Sequence, residues 1–82
     1  MKIEILGTGC AKCIQLEAVV KEAVAKSGKF VQIEKVDDIT KIMEYQVMST
    51  PGLVIDGKVV STGKVLSVDE VLKLIEKNSN TN

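Results

Sequence analysis

Cys10 and Cys13 are the only two cysteines of the chain, and they stand in the run Gly7-Thr8-Gly9-Cys10-Ala11-Lys12-Cys13. Two thiols separated by two residues can close a small disulfide or clamp a soft metal ion. If the pair opens a helix, both sulfurs fall on one helical turn. The first thiol then meets unpaired backbone N–H groups and the positive end of the helix dipole, which favour a thiolate. An exposed helix N-terminus stabilises an anion by roughly 0.3–1 kcal/mol, which is less than one pKa unit at about 1.36 kcal/mol per unit. A strongly acidic thiol therefore needs backbone N–H···S bonds as well. The exchange chemistry available to such a pair has two strokes. A Cys10 thiolate attacks a disulfide, and Cys13 then attacks Cys10 and releases the reduced product. On these residues alone, redox exchange and soft-metal binding both stay open. Two thiolates leave a tetrahedral zinc short of ligands, and the chain has no histidine to complete the set.

The elements around the pair follow from periodicity. Lys2 to Leu6 is short and Ile-rich and reads as a strand, and Gly7 and Gly9 supply a turn. From about Cys10 to Ser27 the pattern is helical: Cys13, Leu16, Val20 and Val24 recur at three- and four-residue spacing, with Val19 and Ala23 widening the stripe. Glu17–Lys21 and Glu22–Lys26 are i,i+4 pairs, and Gly28 sits where a helix stops. Phe30 to Val36 reads as a second strand. Asp37 and Asp38 suit a helix start, followed by an apolar stripe of Ile39, Ile42, Met43 and Val47 that Pro51 must end. Leu53-Val54-Ile55, Asp56-Gly57 and Lys58-Val59-Val60 spell a hairpin with a two-residue turn. Ser67 and Glu70 form a capping box for a last helix carrying Val68, Val71, Leu72 and Ile75. The order β-α-β-α-β-β-α predicts an α/β domain with a four-stranded mixed sheet, the first two strands parallel and the hairpin antiparallel. Residues 1–77 make one domain, and 78–82, without apolar periodicity, read as a disordered tail.

Composition narrows the function. Eleven basic and eleven acidic side chains cancel, and one Tyr and one Phe are the only aromatics of the 82 residues. With no basic stripe and little to stack on bases, nucleic acid is not an expected partner. The apolar stretch Ile3-Glu4-Ile5-Leu6 is too short for a signal peptide or a membrane span, so the expectation is a cytoplasmic protein without membrane association. Structural disulfides are uncommon in the cytoplasm, and a lone Cys-x-x-Cys there reads as reactive or metal-binding.

The full pattern resembles the thioredoxin superfamily in its compact form, the small thioredoxin-like and glutaredoxin-like redox-active disulfide proteins of archaea and bacteria. The matching signals are Gly9-Cys10-Ala11-Lys12-Cys13 after the first strand, Tyr45 to Pro51 before the third, and Asp56-Gly57-Lys58-Val59-Val60 followed by Gly63. The resemblance implies a minimal thioredoxin-like fold and a thiol–disulfide oxidoreductase acting on protein or small-molecule disulfides. It makes Cys10 the nucleophile, Cys13 the resolving thiol, and Thr50 with a cis Pro51 the substrate-binding wall. It implies no bound organic cofactor, a flavoprotein disulfide reductase as electron donor, and a monomer. Ala11-Lys12 replaces the Gly-Pro of typical thioredoxins and the Pro-Tyr of typical glutaredoxins, and Gly9 stands where thioredoxins carry a tryptophan.

Two further residues are candidate modulators. Glu4 lies six residues before Cys10, matching the buried acid that assists proton transfer in thioredoxins, although its alternation with Ile3 and Ile5 also fits a solvated carboxylate. Lys12 is either a thiolate-stabilising charge or an ordinary exposed lysine. Tyr45 reads as packing and Gly63 as backbone geometry near the groove. The rival function is a copper or zinc chaperone using Cys10 and Cys13. The heavy-metal-associated domains it would resemble run β-α-β-β-α-β and carry Met where Thr8 stands. Arsenate reduction is disfavoured because no arginine is present to clamp the oxyanion.

Overall fold

The computed structural model describes residues 1–79. Along them run β1 (Lys2–Leu6), α1 (Ala11–Ser27), β2 (Gln32–Val36), α2 (Ile39–Glu44), β3 (Gly52–Ile55), β4 (Lys58–Thr62) and α3 (Val68–Ser79). This is the expected β-α-β-α-β-β-α order, and the strands form one four-stranded sheet ordered β2-β1-β3-β4. β1 pairs parallel with β2 across the α1 crossover and antiparallel with β3, and β3 pairs antiparallel with β4. Asp56 and Gly57 close the β3–β4 hairpin with φ of 50° and 83°, the left-handed pair that a two-residue turn needs to match strand twist.

Strand alternation divides the molecule into two layers of unequal size. Ile3 and Ile5 of β1 and Leu53 and Ile55 of β3 face α1 and α3, where they bury Leu16, Val20, Ala23, Val71 and Ile75. Leu6 and Val54 point to the other face and meet Val36 and Ile42, with Tyr45 and Val47 packed at the edge. The buried line of α1 is Cys13, Leu16, Val20 and Ala23, so Ala23 takes the place in that line that the periodicity gives to Val24. Gly28 ends that helix in the left-handed conformation, at φ 67°. Both predicted ion pairs on α1 form, Glu17–Lys21 at 3.2 Å and Glu22–Lys26 at 3.3 Å. The capping box of α3 is reciprocal: the Glu70 N–H donates to Ser67 Oγ at 3.2 Å and the Ser67 N–H to Glu70 Oε1 at 3.0 Å.

Three boundaries differ from the sequence expectation. β2 begins at Gln32, and Phe30 is fully exposed ahead of it. α2 stops at Glu44, and Gln46 turns left-handed at φ 58°. Of its apolar stripe only Ile42 is buried, while Ile39 and Met43 lie exposed. A helix of less than two turns touches the sheet along one line, and beside that line the strands present Lys2, Glu4 and Glu34, which line a polar cleft with Tyr45. α3 runs on through Asn78, whose side-chain amide donates to the Leu74 carbonyl at 2.8 Å, where a tail is predicted from residue 78. The rest of that predicted tail, 80–82, lies outside the described residues.

Leu16 is fully buried between α1 and the sheet. Leu16→Ala is expected to lower the unfolding free energy by about 2–5 kcal/mol, read from the urea midpoint at unchanged slope.

Candidate active site at the start of the first helix

The chain leaves β1 through Gly7, whose N–H still bonds the Val36 carbonyl of β2 at 2.9 Å, and turns at Gly9, φ 91°. Cys10 is the N-cap of α1, in extended backbone conformation, and its Sγ accepts the backbone N–H of Cys13 at 3.3 Å. That is the backbone N–H···S bond which the dipole alone could not replace. No acidic residue occupies the first helical turn to oppose a negative sulfur. Cys10 and Cys13 are joined in a disulfide with Cα atoms 5.1 Å apart. The two sulfurs have unlike surroundings: Cys10 is exposed, whereas Cys13 is 6% exposed and belongs to the buried line of α1. Cys13 rests against the backbone of Gly7, so a methyl group built there collides with the Cys13 sulfur and lies 3.1 Å from its Cβ.

Thr50 and Pro51 arrive at the same end of the sheet. Leu6, the last residue of β1, pairs with Gly52, the first of β3. The Thr50–Pro51 peptide is cis, Pro51 is buried and Thr50 exposed. Gly63, at φ 73°, donates its N–H to the Pro51 carbonyl at 2.8 Å. A Cβ on Gly63 would stand 3.0 Å from that of Ser49, so this glycine holds the backbone next to the proline, as its place in the sequence suggests.

These observations meet the comparisons with known proteins. A family profile described as Thioredoxin domain matches residues 1–76. The chain belongs to the thioredoxin domain family. A thioredoxin of Methanothermobacter thermautotrophicus is 40% identical over 75 residues, covering 92% of this chain and 97% of that one. A thioredoxin of Methanocaldococcus jannaschii is 45% identical over 69 residues, covering 84% and 79% of the two chains. In this thioredoxin fold the Cys10–Cys13 disulfide is a redox-active pair, and the protein is a thiol–disulfide oxidoreductase. Among the described residues no group of three or more His, Cys, Asp or Glu is placed to hold a metal ion. The soft-metal alternative finds no support in this geometry.

The modulators fall out differently from one another. Lys12 is exposed in the first turn of α1. Glu4 is neither beside the cysteines nor freely solvated. It sits on the sheet face that α2 covers, opposite Ile3, Ile5 and α1, and its carboxylate accepts the Tyr45 hydroxyl at 2.6 Å. The thioredoxin-like match in sequence position therefore does not bring this acid to Cys13: strand alternation turns it to the other face. Sequence reasoning missed Glu17 and Lys35, which line one small cleft together with Cys13. It paired Glu17 with Lys21 alone, and the signal for Lys35 is its register opposite Ile5, visible only once β1 and β2 are aligned. It also missed Ile14 and Met48, exposed beside Cys13 and shortly before Thr50 at 58% and 97%.

Two predictions concern these contacts. Gly7→Ala is expected to destabilise the oxidised protein by about 1–3 kcal/mol through overpacking against Cys13, measured by urea denaturation. Tyr45 gives a pH dependence. Its phenol is raised above the ordinary 10.0 by the hydrogen bond to Glu4 first, then by partial burial, then by the negative charges of Glu4, Glu34 and Glu44. The unfolded chain therefore sheds this proton first, and the contribution is complete below about pH 10 and declines as pH rises through the raised value. Tyr45→Phe is expected to flatten the alkaline limb of the stability–pH curve, measured from urea midpoints on both sides of pH ~10.

Proposed function

We propose that Cys10 is the attacking sulfur and Cys13 the resolving one in exchange with disulfide-containing proteins or small molecules. The asymmetry of the pair carries this reading: Cys10 is exposed at a helix N-cap, and Cys13 is nearly buried one turn inside. In the reduced protein the Cys10 thiolate attacks a substrate disulfide, breaks its S–S bond and expels one substrate thiolate. A mixed disulfide remains. Cys13 then loses its proton and attacks Cys10, expelling the second substrate thiolate and forming the Cys10–Cys13 bond. Two electrons pass to the substrate. A thiolate at Cys10 would inherit the backbone N–H that its sulfur now accepts, with the helix dipole adding to it.

Thr50 and Pro51 form the wall against which a substrate chain lies in this reading. The exposure of Thr50 beside a buried proline, at the sheet end where β1 delivers the cysteines, supports it. Exposed Ile14 and Met48 add apolar surface suited to a polypeptide rather than a bare small thiol. Re-reduction calls for an electron donor such as a flavoprotein disulfide reductase. A cytoplasmic, monomeric protein fits this role, and no helix among the described residues is long and apolar enough to cross a membrane.

Single-cysteine variants test the assignment. Cys10→Ser is expected to bring exchange down to the uncatalysed rate. Cys13→Ser is expected to accumulate a mixed disulfide at Cys10, seen by mass spectrometry. A trapped adduct on Cys13 of the Cys10→Ser variant, with none on Cys10 of the other, would reverse the roles.

A further inference from the structure

The sheet ends on β4, and no strand of the described residues pairs with its outer side. Along that side two clefts of about 350 and 230 Å³ meet, sharing Val60 of β4 and Leu74 of α3 on their walls. Together they form one groove between the strand edge and the last helix, from Lys58 at the hairpin to Lys64 just past Gly63. Four of the chain's eleven lysines stand along it: Lys58 and Lys64 at the two ends of the strand, Lys73 and Lys77 on the helix. All four are exposed. The ion pairs Lys2–Glu34, Lys21–Glu17, Lys26–Glu22 and Lys35–Glu17 hold other lysines and leave these out. One carboxylate shares the walls, Glu70, and it is already engaged, its Oε1 accepting the Ser67 N–H. Asp69 and Glu76 of the same helix lie outside the walls of both clefts. Glu70 sits below the ordinary 4.5 through its backbone bond to Ser67 first and the Ser67 side chain next, with desolvation opposing and the charges of Lys64 and Lys73 adding to the fall. The floor is apolar, with Val60 and Leu74 half-buried. Ser61 Oγ, in the wall of the larger cleft, is enclosed without a hydrogen-bond partner.

We propose that this groove docks an extended acidic segment of a partner protein, which joins the sheet as a further strand beside β4. A strand at a sheet edge presents unpaired N–H and C=O groups, and an incoming chain that pairs with them gains main-chain hydrogen bonds. β4 has five residues, so a partner segment of about equal length spans it. The lysines choose the chemistry of that segment. Edge lysines keep strands of like sign apart, and β4 set against β4 would bring two lysine-rimmed edges together. A second copy of this chain is therefore turned away, whereas Asp and Glu on an incoming strand reverse the sign. Its alternate apolar side chains meet Val60 and Leu74. The other sheet edge has no such bias: Glu34 and Lys35 of β2 carry opposite charges and are already held by Lys2 and Glu17. Nucleic acid fits the groove less well, since no aromatic side chain lines it to stack on a base. The upper end adjoins Gly63, whose N–H bonds the Pro51 carbonyl, so a docked segment runs up beside Thr50 and Pro51. The inference goes beyond the exchange reading and does not require it, because no cysteine takes part.

The test uses a ligand without cysteine. Isotope-labelled oxidised protein is titrated with a capped octapeptide of alternating Glu and Val, and the backbone amide resonances are followed. Saturable shifts are expected along β4 and the facing side of α3, with Cys10 and Cys13 unmoved. Added salt should weaken the binding. Lys64→Gln combined with Lys73→Gln should weaken it roughly two- to thirtyfold, the range for two exposed charge pairs, while exchange with a small aromatic disulfide keeps the parent rate. N-methylation of the central peptide residues removes backbone donors and leaves every side chain in place. It should weaken binding about tenfold or more, as the loss of several hydrogen bonds requires. An absence of shifts along β4 overturns the inference and leaves the lysines as guards of the edge. An N-methylated peptide that binds as well as its parent, or shifts gathered around Thr50 and Cys10 instead, also overturns it. A single-stranded oligonucleotide of equal charge that moves the same amides as strongly would reduce the groove to a plain anion patch. Concentration-dependent broadening of the β4 amides in the free protein would give the edge to a second copy, against the proposal.

Discussion

Cys13 is held against the backbone of Gly7, and the rest of the site depends on that contact. It joins the end of the central strand to the first turn of the long helix, with no side chain between them. Cys13 is thereby a core residue and half of the reactive pair at once. The main core fixes α1 through Leu16, Val20 and Ala23, and α1 in turn fixes Cys13. Cys10, one turn earlier and outside the core, takes its position from Cys13 through one backbone hydrogen bond and the disulfide. The rigid partner is thus the inner sulfur, and the accessible one hangs from it.

The sheet gives the two sulfurs a particular electrical setting. Its central strand alternates, so the residues that share a face with α1 and α3 are apolar, and the ionisable ones collect on the side covered by the short α2. There Glu4, Glu34 and Glu44 line a cleft with Tyr45, whose phenol holds its proton first through the hydrogen bond to Glu4 and then through burial and their charges. On the helix-covered side Glu17 and Lys35 line one small cleft with Cys13. A carboxylate on a strand next to a reactive cysteine in sequence can thus be remote from it in space, and a lysine on another strand can be near.

The order of elements was legible because each local signal had one reading. Glycines bracket the first helix, Ser67 and Glu70 mark the start of the last, and Asp56-Gly57 can hardly be other than a tight turn. The cysteine pair and Thr50-Pro51 were legible as motifs. What stayed hidden depends on which side chains meet across the sheet. Glu4 carries the same sequence offset whether it faces α1 or α2, and the choice is made by the parity of the strand. Met43 looks like core by type, yet α2 is less than two turns long and meets the sheet along one line; Phe30 lies ahead of β2, outside the sheet. Lys35 has no motif at all; its meaning comes from pairing with β1, about thirty residues away in the chain.

The disulfide spans a separation of three residues. Loop-closure entropy grows only with the logarithm of the enclosed chain, and a ring of this size constrains the unfolded state by about 2 kcal/mol, against nearly 5 for a hundred-residue loop. The bond therefore contributes near the low end of what a disulfide can. The layered core assembles from contacts that do not involve it, and opening it releases a few local dihedral angles rather than an element of the fold. By this count the disulfide form is the more stable by about 2 kcal/mol, roughly a thirtyfold shift of the folding equilibrium, so each turn of the dithiol–disulfide cycle also moves the stability of the chain.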